Sequence, residues 1–239
     1  MRGKKSMNGQ QLSKRLKTVA RYLQKPISFA DIGSDHAYLP CYVCHDNPES
    51  FAIAGELNEG PYLSAKKEVC VNELEEQIEV KLGNGLEVID DRIAQVVIAG
   101  MGGPLIANIL EEGKMSLTSV SRIVVQPNIE ARAIRKWFMS NDYNLVEEAI
   151  LEENGHYYEI LVADKGNGRE NYDENSLEKQ LWLGPHLLKE KSIAFQLKWT
   201  DAKNKKLNII KQMQQSTNPD REKIKAFERE IRWIEEVLN

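Results

Sequence analysis

Residues 145–163 read LVEEAILEENGHYYEILVA, in which two apolar runs are separated by a short polar segment. The runs cover 145–151 and 156–163, and the polar segment ends in Asn154-Gly155. Asn and Gly tolerate the positive φ angles of a tight turn, so this pair between two apolar runs is a strong signal for a β-hairpin. We therefore predict two antiparallel strands at this point of the chain.

The sequence before this hairpin alternates short apolar runs with amphipathic segments. Strands that alternate with helices at this interval form a mostly parallel sheet with helices on both faces. Five such units followed by an antiparallel hairpin make a seven-stranded sheet. This is the layout of Rossmann-like, class I methyltransferases, and an ordinary dinucleotide-binding fold is not expected to close in that way. The predicted strands are 27–33, 51–57, 78–82, 95–99 and 121–126, and the predicted helices are 36–45, 60–72, 103–112 and 130–140.

Helical segments are predicted on both sides of this α/β region. An amphipathic helix at 12–25 precedes the first strand, and the polar, Gly- and Asn-rich residues 164–180 indicate a linker. Residues 186–239 are predicted to form an antiparallel helical hairpin that is broken near 216–219. Its second helix has apolar residues at the 3-4 spacing of a coiled coil, and its first helix is less regular. The coiled-coil positions are Ile224, Phe227, Ile231, Ile234 and Leu238, and those of the first helix are Leu187, Ile193, Leu197, Leu207, Ile210 and Met213.

These patterns predict two domains, a Rossmann-like domain at 8–165 and a helical coiled-coil domain at 176–239. The 239 residues, 41% of them hydrophobic, suffice for one full core with length to spare. No apolar stretch approaches the roughly 18–20 residues of a membrane span, and no secretory signal is visible at the start. Three cysteines in a chain this long do not make a disulfide framework. We therefore predict a soluble, cytoplasmic protein with no membrane partner.

The net charge of −4 is unevenly distributed along the chain. Residues 1–25 contain eight basic and no acidic side chains, and residues 186–239 contain 12 basic and 8 acidic ones. The region between them has 12 basic against 28 acidic residues. Basic segments on either side of an acidic body suit a protein that binds a polyanion, although solvated helix faces have the same composition. The candidate contacts are Lys14, Arg15 and Lys17, with Lys198, Lys203, Lys205, Lys206 and Lys211 in the C-terminal region.

The first predicted strand ends in DIGSDH, residues 31–36. The carboxyl edge of this strand is where doubly wound folds bind their ligands. The glycine-rich G-x-G-x-x-G pattern of dinucleotide-binding proteins is absent, because Asp35 stands at the place of its second glycine. Asp31 and Asp35 would repel a pyrophosphate but attract a cationic sulfonium. The segment therefore favours S-adenosylmethionine over NAD, with Gly33 allowing close approach of the backbone to the ligand.

Polar or glycine-rich segments also follow the other predicted strands. Glu56 ends the second strand, where an acidic residue typically binds the hydroxyls of an adenosine ribose; this interpretation is preferred to the alternative of an exposed strand-end carboxylate. Asn84, in Gly83-Asn84-Gly85, is a candidate for binding the adenine amine or a turn residue. The glycines at 99–103 reduce steric bulk beside a reacting centre. Gln126-Pro127-Asn128 directs amides to the same edge, where Asn128 is alternatively an N-cap.

Cys41-Tyr-Val-Cys44-His45 matches the C-x-x-C-H pattern of c-type haem attachment. It lies inside a predicted helix of a chain without a visible export signal, and no second Cys/His pair lies at a spacing suited to zinc. We predict packing in the helical core and no metal.

Six segments carry a resemblance to a known family: LSKRL at 12–16, ADIGSDHAYLP at 30–40, AGELNEGPYLSAK at 54–66, GNGLEVI at 83–89, IAGMGG at 98–103 and QPN at 126–128. On these segments the chain resembles the TrmK family, the bacterial tRNA (adenine-22-N1)-methyltransferases. The resemblance covers nearly the whole chain. The sequence differs from the family pattern at Asn84, where similar proteins often have Asp.

The resemblance implies methyl transfer from S-adenosylmethionine to N1 of adenine 22 in the D-arm of tRNA, giving 1-methyladenosine. It implies a catalytic role for Asp35. Residues expected at the cofactor are Asp31, Gly33, Ser34, His36, Glu56, Leu57, Asn84, Gly85, Ala99, Gly100, Met101 and Gly102. Residues expected at the tRNA are Tyr38, Gln126, Pro127 and Asn128, with Lys14, Arg15 and Lys17. A monomer or weak dimer is expected.

Two other functions stay open from the sequence. A methyltransferase for another RNA, a protein or a small molecule would share the cofactor residues, but it has no use for the basic N-terminal helix. A non-catalytic RNA-binding module would be expected to have lost cofactor residues, whereas Asp31, Gly33 and Glu56 are present.

Overall fold

A computed structural model of the chain describes residues 12–216 and 219–239. The basic residues before position 12, the predicted domain start at 8 and part of the predicted break at 216–219 lie outside the described residues. Contacts divide the described chain into two compact units, one of residues 12–149 and 158–171 and the other of residues 150–157 and the remainder from 172 onward. None of the helices in this described part is long and apolar enough to cross a bilayer.

Seven strands form one sheet in the order β3-β2-β1-β4-β5-β7-β6. Strands β1 to β5 are parallel to one another, and β7 pairs with β5 in the antiparallel sense. This confirms the predicted seven-stranded, mostly parallel sheet closed by a hairpin. The strands are β1 (Ser28–Ile32), β2 (Phe51–Glu56), β3 (Ile78–Leu82), β4 (Gln95–Gly102), β5 (Arg122–Ile129), β6 (Tyr143–Glu153) and β7 (His156–Lys165).

The helices of the first unit alternate with the strands, as predicted. The first two differ from the expected bounds: the helix predicted at 12–25 is shorter, and the one predicted from 36 begins at 38. The two helices that follow β2 and β4 lie within a residue of their predicted bounds. The helices are α1 (Lys14–Arg21), α2 (Tyr38–Asp46), α3 (Glu59–Val71), α4 (Gly103–Glu112) and α5 (Ala131–Ser140).

The central strands are buried on both faces, which explains their near-continuous apolar sequences. Residues 96–98 of β4 and 123–125 of β5 are fully buried. Register places Asp31 beside Ala54 of β2 and Val97 of β4, so an acidic side chain stands in the middle of an apolar sheet. Cys41 and Cys44 are buried on α2, in agreement with the predicted core packing.

Strands β4 and β5 extend three residues beyond their predicted ends. Register shifts near Met101 allow the glycine-rich end of β4 to remain paired with β5. Asn128 therefore lies inside β5, and Glu130, with φ of 56°, holds the N-cap position of α5. The alternative interpretation of Asn128 as a helix N-cap is wrong, because strand pairing continues through it.

Helix α1 is tied to the amino-terminal edge of the sheet by two buried polar side chains. The Gln95 amide donates to the Gln24 carbonyl and accepts from its N–H, both at 2.8 Å. Arg122 donates to the Tyr22 carbonyl at 2.9 Å and forms a two-point ion pair with Asp164 at 2.6 and 2.8 Å. These bonds satisfy backbone groups just after the helix and fix its position against β4 and β5.

The second unit contains four helices and the tip of the β6–β7 hairpin. Phe195 and Trp199 form its core with Leu183, Ile234 and Val237. Ile210 packs against Ile224 and Ile231, and the ion pairs Lys203–Glu235 and Lys206–Glu230 indicate that the two long helices run antiparallel. The helices are α6 (Leu177–Leu183), α7 (Pro185–Glu190), α8 (Ile193–Gln214) and α9 (Arg221–Leu238).

Two expectations for this region are wrong. The segment expected as a linker up to residue 180 already contains the start of α6, and the first long helix begins at 193 after the separate helix α7. Ile193, Leu197 and Leu207 are exposed on α8, whereas Phe195 and Trp199 face the core. The aromatic residues bury more apolar area than the aliphatic ones and so determine which face packs inward.

Gly103, at the start of α4, offers a test of the packing between the β4 and β5 ends. A Cβ at this position would lie 2.1 Å from the Glu130 carbonyl oxygen, which is backbone. We expect Gly103→Ala to lower the free energy of unfolding by about 1–3 kcal/mol, measured by urea denaturation. Gly60→Ala, in α3, meets no atom within 4 Å and is the matched control, for which no loss is expected. Equal stability of the two variants would contradict this packing.

Candidate active site

A cavity of about 240 Å³ opens at the carboxyl edge of the sheet, between the ends of β1 and β4. The strand order reverses between these two strands, which is the position where doubly wound sheets bind ligands. The lining contains nine of the site residues named from the sequence, together with Leu16 and Leu39. The predicted ones are Arg15, Asp31, Gly33, Ser34, Asp35, Tyr38, Ala99, Gly100 and Met101.

A larger cavity of about 370 Å³ lies among residues 25–27 and 46–50. These residues precede β1 and β2, so this cavity belongs to the amino-terminal edge of the sheet. We assign the site to the smaller cavity because it collects the carboxyl ends of β1 and β4 together with Asp31 and Asp35.

Two carboxylates are buried at the active-site cavity. Asp31, near the end of β1, accepts a hydrogen bond of 2.6 Å from the Ser34 hydroxyl. Burial raises its pKa to about 7, while Ser34 and the positive charge of Arg15 act in the opposite direction. Glu56, at the end of β2, also has a pKa raised by burial, and its Oε1 accepts a 2.6 Å hydrogen bond from the Asp35 N–H. Buried negative charge at this depth favours a cationic ligand.

The chain makes a left-handed turn between β1 and α2. Gly33 and the three consecutive residues Asp35, His36 and Ala37 all have φ between 47° and 74°. Non-glycine residues rarely adopt this conformation, at a cost of roughly 1–3 kcal/mol each, and such residues cluster at functional sites. Backbone hydrogen bonds from Gly33 and Ser34 to the Gly55 carbonyl, at 2.9 and 3.3 Å, help to hold the turn.

This turn explains why the helix predicted from residue 36 begins at Tyr38. It directs the Asp35 side chain outward, with 80% of it exposed. His36 Nε2 lies 3.6 Å from Asp35 Oδ1, and the His36 ring stacks on Tyr38 with 5.2 Å between centroids. The mouth of the cavity therefore presents an exposed carboxylate beside a flat aromatic pair.

The opposite wall is organised by Gln126, which is fully buried at the end of β5. Its Oε1 accepts from the Gly100 N–H at 3.1 Å and from Arg15 Nη1. Its Nε2 donates to the Pro127 carbonyl at 2.8 Å and to Asn128 Oδ1 at 3.3 Å. Exposed Asn128 in turn donates to the Gly100 carbonyl at 2.7 Å, so this network fixes the glycine-rich end of β4.

Arg15 extends from α1 into the cavity lining, which the sequence did not indicate. Besides its bond to Gln126, its guanidinium lies 5.4 Å from the centroid of the Tyr158 ring. Lys14 and Lys17 are exposed on the same helix, and Lys17 lines a different cavity with Arg21 and Tyr42. Of the four basic residues of α1, only Arg15 lines the active-site cavity.

The remaining predicted residues lie around the cavity or outside its lining. Asn84 and Gly85 line a separate cavity of about 60 Å³ with Ile109. Leu57 follows Glu56 and is 61% exposed. Gly102 immediately precedes α4, and Pro127 is buried and pairs with Met101. Their roles at a ligand stay predictions.

Within residues 12–216 and 219–239, no group of three or more His, Cys, Asp or Glu side chains is placed to hold a metal ion.

The sheet order and the acidic turn after β1 together define an S-adenosylmethionine-dependent methyltransferase of the Rossmann-like class. The cavity fits that cofactor in its charge, because Asp31 and Glu56 suit a ligand with cationic groups and oppose a pyrophosphate. The model of the family described as TrmK, tRNA (adenine(22)-N(1))-methyltransferase, matches residues 29–236. The chain belongs to this family.

Individual relatives agree with this assignment. The tRNA (adenine(22)-N(1))-methyltransferase of Bacillus subtilis is 46% identical over 236 residues, which are 98% of this chain and 99% of the relative. The crystal structure of the B. subtilis m1A22 tRNA methyltransferase TrmK superposes with a TM-score of 0.90 at 44% identity, over 96% of this chain and 100% of that one. The complex of the Streptococcus pneumoniae putative tRNA (m1A22) methyltransferase Sp1610 with S-adenosyl-L-methionine has a TM-score of 0.84 at 38% identity, over 96% and 100%.

Burial of Asp31 predicts an unusual dependence of stability on pH. Its pKa is about 7 in the folded chain against an ordinary value of 3.8, so between these pH values the folded state holds a proton that the unfolded chain has released. The free energy of unfolding therefore falls as pH rises through this window, by up to about 4 kcal/mol. Asp31→Asn removes this titration, and we expect its melting temperature relative to wild type to be higher at pH 8 than at pH 5.

The exposed Asp91→Asn variant is the control for the loss of one carboxylate. Thermal denaturation followed by circular dichroism at both pH values compares the three proteins. Parallel pH profiles for wild type and Asp31→Asn would show that Asp31 is ionised throughout.

Proposed function

We propose that this chain transfers a methyl group from S-adenosylmethionine to N1 of adenine 22 in the D-arm of tRNA at the Asp31–Asp35 cavity, giving 1-methyladenosine. The observation that carries the proposal is the exposed Asp35 carboxylate, held on a left-handed turn whose backbone donates a hydrogen bond to the buried Glu56. Family membership supports the substrate, since the matching family model describes this methylation.

The cofactor would be held by the carboxyl ends of β1, β2 and β4. Asp31 would face the cationic amino-acid end, and Glu56 would accept from the ribose hydroxyls. When bound, S-adenosylmethionine supplies an electrophilic methyl group on a sulfonium, open to in-line approach by a nucleophile. Gly33 and Gly100, with φ of 67° and 81°, keep the two loops that flank this position free of side-chain bulk.

Asp35 is the proposed catalytic residue. Adenine N1 has a lone pair in the plane of the ring, so it needs no prior deprotonation, and methylation makes the base cationic. A carboxylate near the exocyclic amine stabilises this developing charge and is able to accept a proton. Because Asp35 is exposed at the mouth, its side chain is accessible to a base that enters from outside.

The target base must leave its stack before it reaches the cavity. The stacked rings of His36 and Tyr38 offer a flat apolar surface beside Asp35. On the opposite wall, the exposed amide of Asn128 is anchored through Gly100. We propose that these two features hold the base in line, which supplies much of the rate acceleration.

The surface lysines would contribute to tRNA binding unequally. Lys203 and Lys206 form ion pairs with Glu235 and Glu230, so their charges are largely neutralised within the second unit. Lys205 and Lys211 are exposed on α8 and remain the better candidates there.

A tRNA substrate also supports the predicted cytoplasmic location. The oligomeric state, a monomer or weak dimer, stays a prediction.

Methylation of unmodified tRNA transcripts tests the function directly. We expect label from S-adenosylmethionine at N1 of adenine 22, mapped by primer extension and nuclease digestion, and no label in a transcript with guanine at that position. Label at another nucleotide, or none despite measurable binding of the cofactor, would refute this substrate assignment.

Asp35→Asn tests the proposed chemical role. The side chain keeps its size but loses its charge, so we expect kcat to fall by about 10²–10³-fold. The Kd of S-adenosylmethionine, measured by calorimetry, should change less than about threefold, because Asp31 and Glu56 remain. Asp91→Asn is the control with the same chemical change at an exposed position away from the cavity lining. If weaker cofactor binding accounted for the whole loss of activity, Asp35 would have no role in the chemical step.

A further inference from the structure

A second cavity, of about 220 Å³, lies between α1 and α2 in the same unit as the active site. Its walls include Lys17 and Arg21 of α1 and Tyr42 of α2. We propose that this cavity binds a backbone phosphate of the tRNA strand directly beside adenine 22, an inference that rests on the proposed function. The second cavity thus holds the substrate strand while the active-site cavity holds the target base.

The second cavity continues from the mouth of the active site along both helices. Tyr38 lines the active-site cavity, and Tyr42 lines the second one. Residues four apart lie on the same face of a helix, about 6 Å from each other along its axis. Leu39 and Val43 repeat the same step between the two linings. A strand whose adenine occupies the active site therefore has its neighbouring phosphates within reach of the second cavity.

Lys17 and Arg21 supply the positive charge of this cavity. They are exposed on one face of α1, and neither side chain forms an ion pair or a hydrogen bond with any residue that the structure describes. Lys203 and Lys206 of the second unit differ in this respect, because both are paired with glutamates. Two unpaired cations on adjacent turns keep their charge available for the oxygens of one phosphate.

Tyr42 forms the facing wall of the second cavity. Its ring is partly buried, and its hydroxyl forms no hydrogen bond within the described part of the chain. A phenol hydroxyl that is shielded from water usually has a partner, and it is able to donate to a phosphate oxygen. An aromatic ring beside two cations is also the combination with which proteins bind single strands, by stacking a base and contacting its phosphate.

The far end of the second cavity has the opposite charge. Asp46, at the end of α2, lines it together with Asn47, and Asp46 Oδ1 lies 3.3 Å from His45 Nδ1. A carboxylate at this position repels a phosphate, so favourable binding is confined to the turn nearest the active site. The cavity therefore suits a nucleotide next to the target base and not a long stretch of backbone.

The salt dependence of tRNA binding tests the assignment on the protein. Loss of one phosphate contact lowers the slope of log Kd against log salt concentration by about 0.7–0.9. We expect the double variant Lys17→Ala/Arg21→Ala to lower the slope by this amount and to raise the Kd of an unmodified tRNA transcript by about tenfold. The Kd of S-adenosylmethionine should stay within about twofold of wild type, because neither residue lines the active-site cavity.

The double variant Lys67→Ala/Lys114→Ala is the matched control, because both lysines are exposed in the same unit and line neither cavity. A similar loss in this control would show that binding depends on overall charge and would overturn the inference. Unchanged tRNA binding by Lys17→Ala/Arg21→Ala would also overturn it and leave the proposed function intact. A wild type that binds S-adenosylmethionine but methylates no tRNA would refute the proposed function itself.

Uncharged linkages in the tRNA test the same contact with wild-type protein, so that the result does not depend on the folding of a variant. Single methylphosphonate linkages replace, one at a time, the phosphates that flank adenine 22. We expect one of them to raise the wild-type Kd as much as Lys17→Ala/Arg21→Ala does, and to have no further effect on that variant. Losses that add in full at every flanking position would show that these phosphates do not contact the second cavity.

Discussion

The hydrogen bond between the Asp35 N–H and the Glu56 carboxylate links the ends of β1 and β2 at the centre of the site. It satisfies a buried carboxylate with a backbone donor and, in the same contact, stabilises three residues in a left-handed conformation. The turn binds Asp31 through the Ser34 hydroxyl and directs the Asp35 side chain outward. That turn determines the shape of the cavity, the burial of Asp31 within it and the exposure of Asp35 at its mouth.

The sheet was predictable because its strands follow simple rules of burial. Residues 96–98 and 123–125 are buried on both faces and form continuous apolar runs, and Asn154-Gly155 marks the hairpin. The second unit was less predictable, since α8 contains aliphatic and aromatic residues on different faces. Its packing face is chosen by Phe195 and Trp199, while Ile193, 77% exposed, lies outside the core. Periodicity alone does not rank these competing faces.

The acidic residues of the site were predictable from their places at strand ends, because parallel strands bring their carboxyl ends to one edge. The left-handed turn was not predictable, because none of the three consecutive residues Asp35, His36 and Ala37 is a glycine. The sequence also did not show that Arg15 lines the cavity. Three basic residues occur within four positions of α1, and only the tertiary contacts with Gln126 and Tyr158 distinguish the one that faces the cavity.

The second unit is discontinuous in sequence, because residues 150–157 pack with the helices beyond residue 172. Ile150 contacts a core that includes Leu183 of α6 and Val237 near the chain end. During synthesis the hairpin tip leaves the ribosome well before these partners, so this unit completes its core only after α9 has been synthesised. The same discontinuity affects genetic exchange between relatives. A single crossover that replaced only the C-terminal helices would pack the original hairpin tip against helices from another protein. The C-terminal region is therefore not readily exchanged as an independent domain.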